Sequence, residues 1–133
     1  MTGVLMSIKP EYVGAIVDGT KTVELRRKRP SFAPGTTVIV YSSSPHKRIE
    51  VAFKSGQVHE ASPASLWRKV SKIAGVTKSA FDEYFDGCDV AYAIEVESVK
   101  KLDPTTLPMR PPQSYMFLLA SNHRHQQLLA AAA

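Results

Sequence analysis

Short runs rich in β-branched residues recur along this chain, and helices separate only some of them. This irregular order constrains the fold more than any other feature of the sequence. The run TTVIVY at 36–41 is typical of a buried strand, and VAYAIEVESV at 90–99 alternates as a half-buried strand does. A regular βαβ series would need a helix between successive strands, so the pattern instead predicts an α+β fold that is mainly β. We expect a small mixed or antiparallel β-barrel or half-barrel of about six strands. The predicted strands span residues 4–8, 22–29, 36–41, 49–58, 90–99 and 114–119.

Helices are predicted in two places, an early helix and a helical insertion, from the signals at their ends. Pro10 lies where a helix can begin without losing a hydrogen bond, and Gly19 is suited to end it in a left-handed conformation. Ser62, followed by proline, is typical of an N-cap and begins the insertion, whose second short helix spans 77–85. The helical residues expected in the core are Val13, Ile16, Val17, Leu66, Val70, Ile73, Phe81, Tyr84 and Phe85.

Length and composition favour a single domain. The chain has 133 residues, of which we assign 1–120 to the domain and 121–133 to a C-terminal tail that is either helical or disordered. No apolar run approaches the roughly 20 residues that a membrane helix needs, and the first residues do not resemble a secretory signal. A single cysteine, Cys88, excludes an internal disulfide. We therefore expect a cytoplasmic protein.

Positive charge is concentrated in one stretch, DGTKTVELRRKRP at 18–30. The chain carries a net charge of +5, and this stretch holds five cations between Lys21 and Arg29 with Glu24 among them. Such a concentration suits a polyanion, so composition favours nucleic acid as a partner without choosing RNA over DNA. In an extended strand Glu24, Arg26 and Lys28 lie on one face, and Val23 and Leu25 on the other.

The segment LMSIKPEYVGAIVDGTKTVELRR resembles the N-terminal signature of the ASCH domain, a branch of the PUA-like superfamily. That signature ends in a Gly-x-Lys-x-x-(Glu or Thr)-x-Arg strand, which falls here on Gly19, Lys21, Glu24 and Arg26. The likeness continues through YSSSP, SPASLW, AGVTKSAFDEYFDG, AYAIEVESV and PPQSYMFL, up to about residue 119. It implies a PUA-like barrel with a cleft beside this strand and RNA, or a modified nucleoside, as the ligand. Functions implied by the family are single-stranded RNA binding and cleavage, hydrolysis of an acylated cytidine, and transcription coregulation through a small ligand or protein partner.

Lys21, Glu24 and Arg26 are the candidate catalytic residues. In one interpretation Lys21 and Arg26 hold a phosphate or base edge while Glu24 accepts from an exocyclic amine. In another, Glu24 is the general base that deprotonates a ribose 2′-hydroxyl, and the cations stabilise the charge that develops on phosphorus. The alternative without function is a surface ion pair worth about 0–1 kcal/mol. We expect the C-terminal carbonyls of the early helix to help seat Lys21.

The amidohydrolase branch of the family is a specific competitor. There, threonine occupies the position of Glu24 as the nucleophile, and a carboxylate in the insertion is its acid–base partner. The second position falls here near Ala74 and Gly75, in a stretch without an acid. Two of the three catalytic groups are therefore absent, which argues against the same chemistry.

Further residues are predicted to bind RNA. Basic side chains would follow the phosphodiester backbone, loop serines would donate to phosphate, and the proline-flanked QSY segment would present polar groups to the ligand. Tyr41 and Tyr92 are additional candidates for stacking on a base. No cofactor is predicted, and the histidines lack the spacing of a metal site. The predicted RNA-binding residues are Arg27, Lys28, Arg29, Ser42, Ser43, Lys47, Arg48, Gln113, Ser114 and Tyr115.

Overall fold

The computed structural model describes residues 3–133, and within them one six-stranded sheet carries all the helices. The strands are β1 (Gly3–Ile8), β2 (Val23–Arg26), β3 (Thr37–Ser42), β4 (Arg48–Ala61), β5 (Ala91–Thr105) and β6 (Tyr115–Leu118). The helices are α1 (Pro10–Asp18), α2 (Pro63–Val70), α3 (Lys78–Tyr84) and α4 (His123–Ala132). The sheet order is β2-β5-β4-β3-β1-β6; β1 and β3 are parallel, and the other pairs are antiparallel. The predicted mainly β, half-barrel fold is confirmed.

The two parallel strands β1 and β3 are buried on both faces. Alternate residues of β1 enter two different clusters: Val4 and Met6 pack with α1, whereas Leu5 packs with Leu128 and Leu129 of α4. This double burial explains why these two strands read as continuous apolar runs rather than as alternating ones. The segment after residue 120, for which helix and disorder were both open, is therefore a helix packed on the sheet.

The helical insertion packs on the β2–β5 end of the sheet. Leu66, Val70 and Phe81 lie in one cluster with Val23 and Leu25 of β2. The side chain of Ser62 accepts from the Ser65 amide at 3.3 Å, which confirms the predicted N-cap of α2. Because β2 buries Val23 and Leu25 against this insertion, its other face is turned towards the inside of the curled sheet.

Side chains bridge the two edge strands where the sheet curls. Arg26 Nη2 at the end of β2 donates to the Ser7 carbonyl of β1 at 3.3 Å, and Nη1 donates to Ser114 Oγ, just before β6, at 3.2 Å. Further along, the Tyr115 hydroxyl accepts from the Ser31 amide at 3.1 Å. The half-barrel is thus closed by side-chain hydrogen bonds.

Several strand boundaries and the placement of one helical residue differ clearly from the sequence-based predictions. β2 ends at Arg26 rather than at residue 29, whereas β4 and β5 run on to Ala61 and Thr105. Ile73 is wrongly predicted as a core residue: α2 ends at Val70, the chain turns, and Ile73 is 40% exposed.

Within the described residues, no helix is long and apolar enough to cross a membrane.

Candidate functional site

A cleft of about 1290 Å³ lies along the polar face of β2. It is bounded by β2, the ends of β1 and β3, α3, and the proline-flanked segment before β6. The residues at its base, which we call the charged floor, are Lys21, Glu24 and Arg26. The alternation of β2 sends Glu24 and Arg26 into the cleft because their neighbours Val23 and Leu25 are in the core.

Glu24 is held between two cations. Its Oε2 accepts from Arg26 Nη2 at 2.9 Å, and its Oε1 lies 3.9 Å from Lys21 Nζ. The residue is only 6% exposed, so this pair differs from a solvated surface ion pair. The charged floor therefore presents a carboxylate whose position is fixed from both sides.

Lys21 is buried, at 1% exposure, and its ammonium is held by the insertion. Nζ donates to the Ala74 carbonyl at 2.6 Å and lies 5.0 Å from the centroid of the Tyr12 ring. The predicted help from α1 is made to the backbone of this residue, since the Lys21 amide donates to the Ala15 carbonyl at 3.0 Å, whereas the ammonium is held by Ala74. Burial lowers the pKa of Lys21, the Glu24 carboxylate raises it, and Arg26 lowers it further.

Gly75 allows the insertion to approach Lys21 closely. It adopts a φ of +64°, and a Cβ at this position would lie 2.7 Å from Lys21 Cβ. Since an L-residue is strained at this φ, both the backbone conformation and the close approach favour glycine. The Ala74–Gly75 turn thus builds the seat of Lys21, and it offers a carbonyl where the amidohydrolase comparison called for an acid.

Arg26 donates three hydrogen bonds to acceptors of the protein: the Glu24 carboxylate, the Ser7 carbonyl and Ser114 Oγ. Among the described residues, its buried Nε has no hydrogen-bond partner. The guanidinium is therefore mainly a positioning group that joins β2, β1 and the segment before β6.

Most of the predicted RNA-binding residues line the cleft. Two do not: Ser42 is fully buried with its hydroxyl 3.4 Å from His46 Nδ1, and Arg48 Nε donates to Glu50 at 2.8 Å on β4. Tyr41 lines the cleft, whereas Tyr92 does not. The predicted residues that line it are Arg27, Lys28, Arg29, Ser43, Lys47, Gln113, Ser114 and Tyr115.

The cations along the rim fall into two groups. Arg27 Nε donates to Cys88 Sγ at 3.2 Å, and Arg29 forms an ion pair with Glu60 at 2.6 Å. Three exposed lysines at the cleft make no side-chain ion pair or hydrogen bond within residues 3–133: Lys9, Lys28 and Lys47. Since their ammonium groups are unpaired, they are the cations most available to an anionic ligand.

Several cleft residues were missed by sequence reasoning. Tyr84 was expected in the core, yet it is 40% exposed at the cleft, with its hydroxyl donating to the Leu25 carbonyl at 3.3 Å. Burial raises the pKa of Tyr84, and nearby Glu24 adds to this effect. Ser7, Lys9 and Tyr12 also line the cleft. Only Lys9 carried a usable signal, since a cation between a strand and a helix-starting proline lies at a strand end.

Carboxylates are sparse in the cleft. Glu24 and the exposed Glu83 are the acidic residues that line it. Within the part of the chain that the structure describes, no group of three or more His, Cys, Asp or Glu side chains is arranged to hold a metal ion.

Comparisons with known proteins identify the family and the fold of this chain. A family model described as "ASCH domain" matches residues 6–100. A Zymomonas mobilis protein named "ASCH domain-containing ribonuclease" is 27% identical over 122 residues, which are 86% of this chain and 82% of that protein. A crystal structure of ASCH from Zymomonas mobilis superposes with a TM-score of 0.86 at 26% identity, covering 96% of this chain and 93% of that one. A hypothetical protein, PH0355, shares the fold with a TM-score of 0.54 at 19% identity, over 70% of this chain and 95% of that one.

Proposed function

The chain belongs to the ASCH domain family, and from that premise we propose that its cleft binds single-stranded RNA and cleaves it. The observation that carries this proposal is a buried carboxylate, Glu24, fixed between two cations at the base of a cleft with unpaired lysines at its rim. The phosphates of a polyanion supply the negative partners that the unpaired rim lysines lack. A base or ribose unit of the same ligand then reaches the charged floor.

Binding to a single strand is favoured over binding to a duplex. The cleft is concave and has the buried residues Lys21 and Glu24 at its base, which suits a nucleotide turned out from its neighbours better than the regular surface of a helix. Tyr84 offers an exposed aromatic ring at the cleft on which a base can stack. Its hydroxyl bond to the Leu25 carbonyl holds the ring in position.

The proposed cleavage uses Glu24 as the general base. The carboxylate takes the proton of a ribose 2′-hydroxyl, the 2′-oxygen bonds to the adjacent phosphorus, and the bond from phosphorus to the 5′-oxygen of the next nucleotide breaks. Water in the open cleft gives a proton to that 5′-oxygen, leaving a 2′,3′-cyclic phosphate and a 5′-hydroxyl. Lys21 and Arg26 act as positioning residues for Glu24, while the rim lysines stabilise charge on the phosphate.

The relative named as a ribonuclease supports this activity, since the likeness extends over most of both chains. Hydrolysis of an acylated nucleoside has less support, because Ala74 contributes only its backbone carbonyl beside Lys21. We also propose that the protein works in the cytoplasm, where its one cysteine would remain reduced.

The test compares wild type with Glu24→Gln, which removes the charge and keeps the shape. Both are incubated with end-labelled single-stranded RNA, the same RNA as a duplex, and single-stranded DNA, each with and without EDTA. We expect wild type to cleave only the single-stranded RNA, leaving cyclic phosphate ends, and Glu24→Gln to be slower by about 10²- to 10⁴-fold.

Glu97→Gln is the matched control, because Glu97 is an exposed carboxylate on β5 that does not line the cleft. Equal cleavage by all three proteins would mean that the activity does not come from the charged floor. Release of free cytidine from an acylated cytidine, without RNA cleavage, would replace the proposal with amide hydrolysis.

A further inference from the structure

The unpaired lysines of the cleft lie at two different ends of the charged floor. Lys9 and Lys47 belong to one end: the Ser43 amide donates to the Ile8 carbonyl at 3.0 Å, and the Lys47 amide donates to the Ser43 carbonyl at 3.4 Å. These bonds hold the turn after β3 against the end of β1. We call this the Lys9 end of the cleft.

Lys28 belongs to the other end. It follows β2 by two residues, and its neighbours Arg27 and Arg29 are engaged with Cys88 and Glu60. Of the three consecutive cations after β2, Lys28 is the one without a side-chain partner among the described residues. We call this the Lys28 end.

The sheet topology separates these two ends. β1 is parallel to β3, and the antiparallel steps from β3 through β4 and β5 to β2 leave β2 running opposite to β1. Arg26 of β2 donates to the Ser7 carbonyl of β1 at 3.3 Å, so these two strands meet at the charged floor. Lys28 lies two residues beyond Arg26, and Lys9 lies two residues beyond Ser7. The chain after Arg26 leads away from Lys9, because the Ser31 amide donates to the hydroxyl of Tyr115, which pairs with Met6 of β1. Lys9 and Lys28 therefore diverge from the contact between Arg26 and Ser7.

We infer that the ligand is an internal segment of a single-stranded polynucleotide, which enters at one end of the cleft and leaves at the other. This inference rests on the proposed function and adds that the nucleotide at the charged floor has a neighbour in the strand on each side. One phosphate on each side of the nucleotide at the charged floor pairs with a lysine: Lys28 on one side, Lys9 and Lys47 on the other. A free nucleoside or a terminal nucleotide fills only part of this arrangement.

The test uses 2′-fluoro oligonucleotides, which lack the attacking hydroxyl and stay intact during binding. Fluorescence anisotropy gives the affinity of wild type, Lys28→Gln and Lys47→Gln for a nonamer over a range of salt concentrations. Each variant is expected to lower the slope of log K against log salt by about 0.7, and the double variant by about 1.4. Lys69→Gln is the control, because Lys69 is an exposed lysine on α2 that does not line the cleft.

Chimeric nonamers then assign each lysine to a flank. In one nonamer neutral methylphosphonate linkages replace the phosphates of the 5′ half, and in the other those of the 3′ half. Lys28→Gln is expected to lose its effect on one chimera and Lys47→Gln on the other. Wild type is expected to bind the nonamer far more tightly than a mononucleoside.

The inference is overturned if both variants lose their effect on the same chimera, or if a mononucleoside binds as tightly as the nonamer. In that case cleavage that still depends on Glu24 would leave the proposed function standing. Failure of wild type to bind any oligonucleotide would overturn both.

Discussion

Glu24 accepts a hydrogen bond from Arg26 at 2.9 Å in a setting where both side chains are largely withdrawn from water, 7% and 14% exposed. The pair formed by Arg29 and Glu60 is shorter, at 2.6 Å, but its side chains are 66% and 48% exposed. Burial rather than distance separates these two ion pairs, since a buried charge that loses its partner is not rescued by solvent.

Arg26→Ala is therefore expected to be strongly destabilising, by about 3–5 kcal/mol. It leaves the buried Glu24 carboxylate without its main cation and removes the hydrogen bonds from β2 to Ser7 and Ser114. Arg29→Ala should cost about 0–1 kcal/mol. Urea unfolding of the two variants measures both values. Similar losses for the two would contradict the structural role given to Arg26.

Lys21→Met tests the cost of burying an ammonium. Since the pKa of Lys21 is lowered in the folded protein, the unfolded chain binds more protons between that pKa and the ordinary value of about 10.4. The free energy of unfolding of wild type should therefore rise relative to Lys21→Met as the pH increases through this window.

Unfolding measured from pH 7 to just below 10 checks this slope. Tyr12 and Tyr84 have raised pKa values, which destabilise the fold at higher pH, so the comparison stops there. Lys21→Met should also cleave RNA poorly, because Glu24 loses one of its two positioning cations. A flat difference across the range would show that Lys21 titrates normally.

Comparing Gly75→Ala with Gly87→Ala separates the cost of a strained backbone from the cost of displacing Lys21. Both glycines have positive φ, +64° and +79°, but an added Cβ would lie 2.7 Å from Lys21 Cβ at Gly75 and would meet nothing within 4 Å at Gly87. Gly87→Ala should cost about 1–2 kcal/mol and keep full cleavage activity. Gly75→Ala should cost more and impair cleavage. Thermal unfolding measures the loss of stability, and single-turnover cleavage measures the loss of activity. Equal activity in both variants would contradict the claim that the Ala74–Gly75 turn positions Lys21.

Tyr84→Ala tests stacking in the cleft. Loss of the ring should weaken RNA binding by about 1–3 kcal/mol, whereas Tyr84→Phe keeps the ring and should bind nearly as wild type does. Anisotropy with a 2′-fluoro nonamer gives both affinities. If Tyr84→Phe lost as much affinity as Tyr84→Ala, the hydroxyl rather than the ring would be the important group.

The local parts of this structure could be predicted from the sequence. Alternation along β2 was enough to put Glu24 and Arg26 on one face, and the Ser62 and Gly19 signals fixed helix ends. The stripe that included Ile73 failed because periodicity does not reveal where a helix stops, and α2 ends three residues earlier. A proline cannot donate a hydrogen bond in a sheet, yet β5 continues through Pro104 to Thr105, beyond its predicted end at residue 99.

The long-range contacts of the site could not be predicted. The Lys21–Ala74 bond joins residues 53 apart, and its acceptor is a backbone carbonyl, which carries no sequence signal. The bond from Arg26 to Ser114 spans 88 residues. Such contacts depend on how the sheet curls, and that follows from the packing of all strands together rather than from any one segment.

The bridge from Arg26 to Ser114 also has a consequence during protein synthesis. Ser114 and β6 follow β1 to β5 along the chain, so β1 must keep one edge open until β6 has been made and pairs with it. A nascent chain that stops short of Ser114 carries every residue of the charged floor but lacks the closed cleft. The cleft would then close only once β6 has left the ribosome and paired with β1.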